Sequence, residues 1–404
     1  MNKEVCTMWI VGIDIAKRTH EAVIVDQDGN IVTKPFSFPN TSAGFAKLLR
    51  AVELLNAQDA QVVFGMEATG HYWFALYAHL CQRGFTVHVM NPIQSDALRG
   101  LYIRQTKNDS RDAFIVAEVI RFGRYTSTQL PDSDLLALRE LCRHRFYFVD
   151  CISDLKRKVI ALLDQVFPEY EKLFSDIFGK SSVELLMECT TPDEIAALPT
   201  DRLCSILETA SRGRLGHDKA QQIQQAAANS FGIMLIADTL GLLIRQMLEQ
   251  ISFLEAQIAT LDAAIAQKLE TFNTPLTTIS GIGPVLAAVV LSEIGDISRF
   301  DSPAKLAAFA GVDPTLKQSG EFSGAKAKMS KRGSPYLRRA LWLAAFSALR
   351  TDPALQAFYD TKRKQGKIHS VAMGHLCRKM VSIVFAVLRD NKPYVPALSS
   401  HSSP

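Results

Sequence analysis

The nine residues Met8-Trp9-Ile10-Val11-Gly12-Ile13-Asp14-Ile15-Ala16 constrain this chain more than any other stretch. Apolar side chains fill nearly every position and β-branched types dominate, the pattern of a β-strand buried on both faces. Asp14 breaks the pattern. A carboxylate in such a strand is costly to bury unless a cation sits against it, and a divalent metal is the usual solution. The ordinary alternative is an aspartate at a strand end that caps a turn. Other acids along the chain have to decide between the two.

Downstream, Glu21–Asp26 and Ile31–Phe36 flank the turn Gln27-Asp28-Gly29-Asn30, so the first three strands form an antiparallel meander. The period then changes to that of helices alternating with strands: a helix over Ser42–Leu55, a strand over Gln61–Met66, a helix over His71–Arg83, a strand over Phe85–Met90 and a helix over Ser110–Phe122. Residues 7–125 therefore make a mixed α/β sheet with helices on its faces. Glu67 leaves the end of the fourth strand, and Asp109 and Asp112 open the last helix on one face. If the first and fourth strands are neighbours, all four carboxylates converge, as a pair of divalent ions clamping a phosphodiester requires.

The strand Gly12-Ile13-Asp14, the turn Glu67-Ala68-Thr69-Gly70 and the run Lys107-Asn108-Asp109-Ser110-Arg111-Asp112-Ala113 together resemble the RuvC-like DEDD domain of insertion-sequence transposases of the Piv/MooV (IS-one-ten) family. The resemblance implies an RNase H-like fold and a magnesium site made by Asp14, Glu67, Asp109 and Asp112. Within the same run, Lys107 and Arg111 are the expected nucleic-acid contacts.

Residues 130–272 read as helical. Phe148, Ile152, Leu155, Val159, Leu162 and Val166 alternate in steps of four and three before a break at Phe167-Pro168. Leu240, Ile244, Met247, Ile251, Leu254, Ile258, Leu261 and Ile265 do the same for more than three heptads, a coiled-coil seam. The two runs pair with each other or across a subunit boundary; both arrangements bury the same stripe. Between them, Thr191-Pro192-Asp193-Glu194 is a capping box with proline at the first helical position.

Residues 273–394 carry a glycine turn, Gly281-Ile282-Gly283-Pro284, between two apolar runs. This fits a helix-hairpin-helix, whose backbone N–H groups hold a phosphate, or a plain helical corner. From Lys317 to Arg339 the chain has seven cations (Lys317, Lys326, Lys328, Lys331, Arg332, Arg338, Arg339) and one acid, Glu321. The net charge of +4 conceals that local excess, the electrostatic footprint of a nucleic-acid contact or of a solvated basic face. Ser319, in Gln-Ser-Gly, is by default a turn residue. It becomes a nucleophile only if a base or metal takes its proton, and its own neighbourhood supplies cations but no base.

Ala308-Phe309-Ala310-Gly311-Val312-Asp313-Pro314, Ser319-Gly320, Met329-Ser330-Lys331-Arg332-Gly333 and Leu337-Arg338-Arg339-Ala340-Leu341 resemble the C-terminal transposase domain of the same family. There the resemblance makes Ser319 the DNA-attacking nucleophile. The fold class so implied is an α/β RNase H-like (RuvC-like) N-terminal domain, a helical coiled-coil middle, and a mainly α C-terminal domain with a helix-hairpin-helix. The activity implied is transposition of the parent element through a covalent phosphoserine, with donor and target DNA, a structured noncoding RNA and a homo-oligomer as partners. The residues themselves leave two other readings open: a junction-resolving nuclease using metal-activated water, and a non-catalytic nucleic-acid-binding scaffold. Seven scattered cysteines with no C-x-x-C pair argue against a disulfide frame or zinc site. With no signal-peptide pattern and no uncharged apolar run of spanning length, the expected compartment is the cytoplasm.

Overall fold

The structure is a computed structural model that describes residues 8–55, 61–90, 92, 95, 109–123, 132–314, 318–319, 322–323 and 329–396. The chain divides into two compact units, Met1–Leu130 and Pro131–Pro404, each considered by itself.

In the first unit, strands β1 (Trp9–Asp14), β2 (Thr19–Val25), β3 (Ile31–Pro39), β4 (Val62–Glu67) and β5 (Thr86–Met90) form one sheet in the order β3-β2-β1-β4-β5. The meander β1-β2-β3 is antiparallel, as the Asp-Gly turn requires, and β4 and β5 continue in parallel on the other side. Helices α1 (Ser42–Glu53) and α2 (Trp73–Gln82) pack on one face, where Val11, Ile13, Phe64 and Met66 meet Leu48, Leu49, Val52, Leu76 and Leu80. Helix α3 (Asp109–Phe122) covers the opposite face through Ile115, Val116, Val119 and Ile120 against Ile10, Val23, Val25 and Met90. β1 is thus central and covered on both faces, so its apolar run is used in full.

The second unit begins with α4 (Ser133–Val166), capped by the Asp132 carboxylate, which accepts from the N–H groups of Asp134 and Leu135. A compact insertion follows, made of α5 (Lys180–Glu188), α6 (Pro192–Ala197, started by the expected Thr191/Glu194 capping box), α7 (Thr200–Ser211) and α8 (His217–Ala228). The chain returns along α9 (Ala237–Glu270). α4 and α9 are 34 residues each, about 50 Å long. They pack antiparallel within the chain, tied by Lys268–Asp134 (2.8 Å), Arg145–Asp262 and Lys156–Glu255 (3.8 Å). Of the two arrangements open for the heptad runs, the structure takes the intramolecular one.

Two cores form along this hairpin. The far end, with Ile152, Val159, Leu163, Ile244 and Ile251, closes against the insertion around the fully buried Tyr170, whose hydroxyl donates to the Ser182 carbonyl at 3.0 Å. The near end, with Leu138, Cys142, Phe146, Ile265 and Leu269, joins the core of the C-terminal segment. That segment comprises α10 (Pro284–Ile294), α11 (Pro303–Ala310), the two-residue strands β6 (Gln318–Ser319) and β7 (Phe322–Ser323), α12 (Pro335–Thr351), α13 (Pro353–Lys364) and α14 (His369–Asp390).

One expectation changes here. The first arm of the expected helix-hairpin-helix is a single 3-10 turn, Pro275–Thr278. With Asn273 at φ +42° and Gly281 at φ +88° bounding it, the run between them has no room for an α-helix. α14 is long and apolar, with a mean hydropathy of 1.6 over its best window, a composition that a membrane span and a buried core helix share. It is a core helix, with Met373, Leu376, Met380, Val384 and Phe385 buried among α10–α13.

Candidate active site

Asp14 closes β1 and Glu67 closes β4, and the two strands are parallel neighbours with Ile13 opposite Met66. The next row therefore sets Asp14 beside Glu67. Side chains alternate along a strand, so Asp14 shares its face with Ile10 and Gly12, and Glu67 with Val63 and Gly65. That is the face under α3. The helix lies close because both glycines admit it: a Cβ on Gly12 would stand 2.1 Å from the Ala113 carbonyl oxygen, and one on Gly65 would stand 2.7 Å from Ile120 Cγ1. α3 runs against β1, and its first turn arrives at the strand ends carrying Asp112, 6% exposed, with Glu67 at 9%. The helix N-terminus is electropositive and eases the gathering of negative charge.

Sequence reasoning missed one more acid. Glu21 pairs with Asp14 across the β1–β2 ladder and faces α3 as Val23 and Val25 do. Its carboxylate is held from two sides, by Ser110 Oγ at 2.9 Å and Ser37 Oγ at 2.6 Å. The period-two pattern Glu21, Val23, Val25 was the available signal. Arg111 is half-buried on the first turn of α3, and Lys107 lies outside the described residues, as does the Asp109 side chain.

Among the described residues, no three acid, histidine or cysteine side chains stand as a ready-made ligand trio. The donor set along this row is nevertheless oxygen-only and carboxylate-rich, the chemistry of a hard divalent cation and not of zinc or copper.

In the second unit, Ser319 sits on a hairpin in which Gln318 pairs with Ser323 and Ser319 with Phe322. The side chains of these residues, and Lys317, Lys326 and Lys328 entirely, lie outside the described residues. The foot of the hairpin is held by backbone contacts. Pro314 bridges to Met329, Ser330 N–H donates to the Asp313 carbonyl (2.8 Å), Lys331 N–H to that of Gly311 (3.0 Å) and Ser334 N–H to that of Phe309 (2.8 Å). The Ser330 hydroxyl also donates to the Asp313 carboxylate. The approach is close enough that a Cβ on Gly333 would lie 1.8 Å from the Phe309 carbonyl oxygen, so only glycine fits.

Behind the foot, Glu293 (4% exposed) accepts from Arg143 Nε at 2.7 Å and Nη2 at 3.2 Å, and from the Ser334 hydroxyl at 2.8 Å. Arg143 also lies over the Tyr336 ring. Burial pulls the Arg143 guanidinium down, but the hydrogen bonds and charge of Glu293 hold it above the ordinary arginine value. Of the sequence-nominated cations, Lys331 and Arg332 are exposed. Arg338 donates to the Ala310 carbonyl at 3.2 Å, and Arg339 pairs with Asp150 at 2.8 Å over the Phe146 ring. These last two brace α12 against its neighbours.

A central strand ending in Asp, a parallel neighbour ending in Glu and a covering helix opened by two Asp define an RNase H-like DEDD domain. A family model for DEDD transposases of the IS110 type matches residues 11–168, which include all four acids. A second model, described as transposase IS116/IS110/IS902 family, matches residues 273–360, including Ser319 and the hairpin foot. The chain belongs to the IS110/IS116 family of DNA transposases and recombinases. It is similar to the uncharacterized 44.8 kDa protein of insertion element IS116 of Streptomyces clavuligerus, 28% identical over 96% of each chain. It is also similar to the 43.6 kDa protein of IS110 of Streptomyces coelicolor, 29% identical over 73% of each. A third relative is the pilin gene-inverting protein of Moraxella lacunata, 25% identical over 95% of this chain and 97% of that one.

Proposed function

We propose that this transposase moves its insertion sequence by magnesium-dependent strand exchange, with Ser319 as the attacking group and a covalent phosphoserine between cleavage and resealing. Asp14, Glu67, Asp109 and Asp112 would hold the metal, with Glu21 oriented beside them. Magnesium, when bound, would polarise the phosphoryl oxygens and favour the alkoxide form of an attacking hydroxyl. The Ser319 oxygen forms its bond to phosphorus as the bond to a deoxyribose oxygen breaks; that oxygen leaves with a proton. Resealing is the reverse reaction with the hydroxyl of a second strand, so no energy-rich co-reactant is consumed. Lys317, Lys326, Lys328, Lys331 and Arg332, with Lys107 and Arg111, would neutralise the DNA backbone, and Arg338 and Arg339 would keep α12 in place behind them. A noncoding RNA of the element, acting on a homo-oligomer, would supply the choice of site.

The observation that carries this reading is the placing of Asp14 and Glu67 at the ends of adjacent parallel strands, under the helix turn that carries Asp112. The test is denaturing electrophoresis of the full chain incubated with end-labelled element-junction DNA, magnesium and the element's RNA. A covalent protein–DNA band that Ser319→Ala abolishes is the expected result. Cleavage by Ser319→Ala to a free 5′-phosphate would instead establish the metal-activated-water nuclease. No cleavage by the parent, with DNA binding unchanged in Asp14→Asn, would leave only a binding scaffold, and activity without RNA would remove the guide.

A further inference from the structure

The C-terminal end of the chain carries a basic surface that lies beyond both family matches. From Lys362 to Lys379 there are six lysines and arginines and no acid. The end of α13 and the start of α14 pack side by side and bring these charges together. Lys364, Lys367, Arg378 and Lys379 are all exposed, as is Arg363, with Lys362 half-buried beside them. The connecting turn is fixed: Arg363 Nη1 donates to the Lys367 carbonyl at 3.1 Å, Lys362 Nζ to Gln365 Oε1 at 3.3 Å, and the Tyr359 hydroxyl meets His369 Nδ1 at 2.7 Å. Among the described residues, no carboxylate is within ion-pair distance of any of these six cations. The nearest acid in sequence, Asp360, is exposed one turn earlier.

We propose that this α13–α14 surface is a second nucleic-acid contact, gripping the phosphate backbone of duplex DNA. His375 sits in the middle of the stripe, one turn before Arg378 and Lys379. Burial first, and then the charges of Lys362, Lys367 and Arg378, hold its pKa below the ordinary histidine value. From Lys367 to Arg378 the stripe extends about 15 Å, a length over which a double helix presents about nine phosphate charges. Tyr359 is spent on His369, so the stripe offers no free Phe, Tyr or Trp platform for stacking single-stranded bases. The surface also adjoins the serine hairpin: a Cβ on Gly374 would be 3.8 Å from Cε of Met329, the residue that closes the hairpin foot. A duplex held here is held beside that hairpin. The inference requires no catalytic role for Ser319.

The test is fluorescence-anisotropy titration of the full chain with a 30-base-pair DNA duplex from low to moderate salt. Three exposed cations are removed in Lys364→Gln/Lys367→Gln/Arg378→Gln, and three exposed lysines of equal charge in the control Lys158→Gln/Lys172→Gln/Lys180→Gln. The first variant should bind at least about ten-fold more weakly at 100 mM salt, with the slope of log K against log salt shallower by about 2 to 3. The control should match the parent. Single Lys367→Gln and Arg378→Gln variants should each reduce the slope by about 1, which keeps the test decisive if the triple variant folds poorly. Equal slopes for patch variant, control and parent would overturn the proposal. So would a loss confined to an RNA duplex or to single-stranded DNA while duplex DNA binding is retained.

Discussion

Gly12→Ala adds one methyl group at the point where α3 meets the central strand. The new Cβ would stand 2.1 Å from the Ala113 carbonyl oxygen, 2.6 Å from the Ala117 nitrogen and 2.8 Å from the Ala117 Cβ. None of these belongs to a side chain that can rotate away, so α3 must retreat as a body by about 1.3 Å to restore an ordinary contact of 3.4 Å. The retreat loosens Ile115, Val116, Val119 and Ile120 from Ile10, Val23, Val25 and Met90. Overpacking of this kind costs about 1–3 kcal/mol, which for a unit of this size lowers the midpoint by about 3–10 °C. The same movement displaces Asp112 from Asp14 and Glu67 by about 1 Å, worth on the order of 100-fold in rate where geometry governs the chemistry. Scanning calorimetry of the full chain reads the first effect. Strand cleavage of junction DNA reads the second. A Gly12→Ala protein that melts within about 1 °C of the parent and cleaves at the parental rate would refute the account of how α3 places its acid.

Three further outcomes follow from the same geometry. Asp14→Asn should abolish strand cleavage and any rise in melting temperature on adding a divalent cation, while the metal-free protein melts at the parental temperature; separate melts with and without cation check it. Arg143→Ala leaves Glu293 buried beside Ser334 without its counter-charge and should cost about 2–3 kcal/mol in urea unfolding, the low end for a broken buried pair because Arg143 is more than a third exposed. Burial lowers the pKa of His20 in the folded first unit, so its contribution to stability is present above about pH 6.5 and lost as pH falls through the folded value. Melting temperature measured from pH 8 to pH 5 should therefore decline on the acid side, and His20→Phe should flatten that decline.

Most of the first unit could be read from the chain itself, because its signals are local. The doubly apolar run around Asp14, the Asp-Gly turn and the switch to helical period each fix an element without help from distant residues, and all five strands and three helices form where those patterns lie. What local pattern cannot supply is register between strands: Glu21 becomes a neighbour of Asp14 only through the ladder, and Ser37 and Ser110 hold it from far along the chain. The same holds for Glu293 and Arg143, 150 residues apart, and for the bracing roles of Arg338 and Arg339, which in sequence look like any other members of a basic run. The helix expected before Gly281 failed for a physical reason, since a left-handed residue on either side leaves too little chain to propagate an α-helix. The α13–α14 surface escaped notice because its charges are spread over two helices and a turn and gather only when these pack together.

The separateness of the two cores on the long helical hairpin has a practical side. The far core closes around Tyr170 with its own share of α4 and α9, while the near core shares none of those residues and serves the hairpin foot instead. Within the second unit the far core is in that sense a packing unit of its own, carried on helices it shares with the near one. The left-handed turn at Arg212-Gly213, open to solvent on the far core, is where a fluorescent reporter or an affinity module can be spliced in without entering the near core.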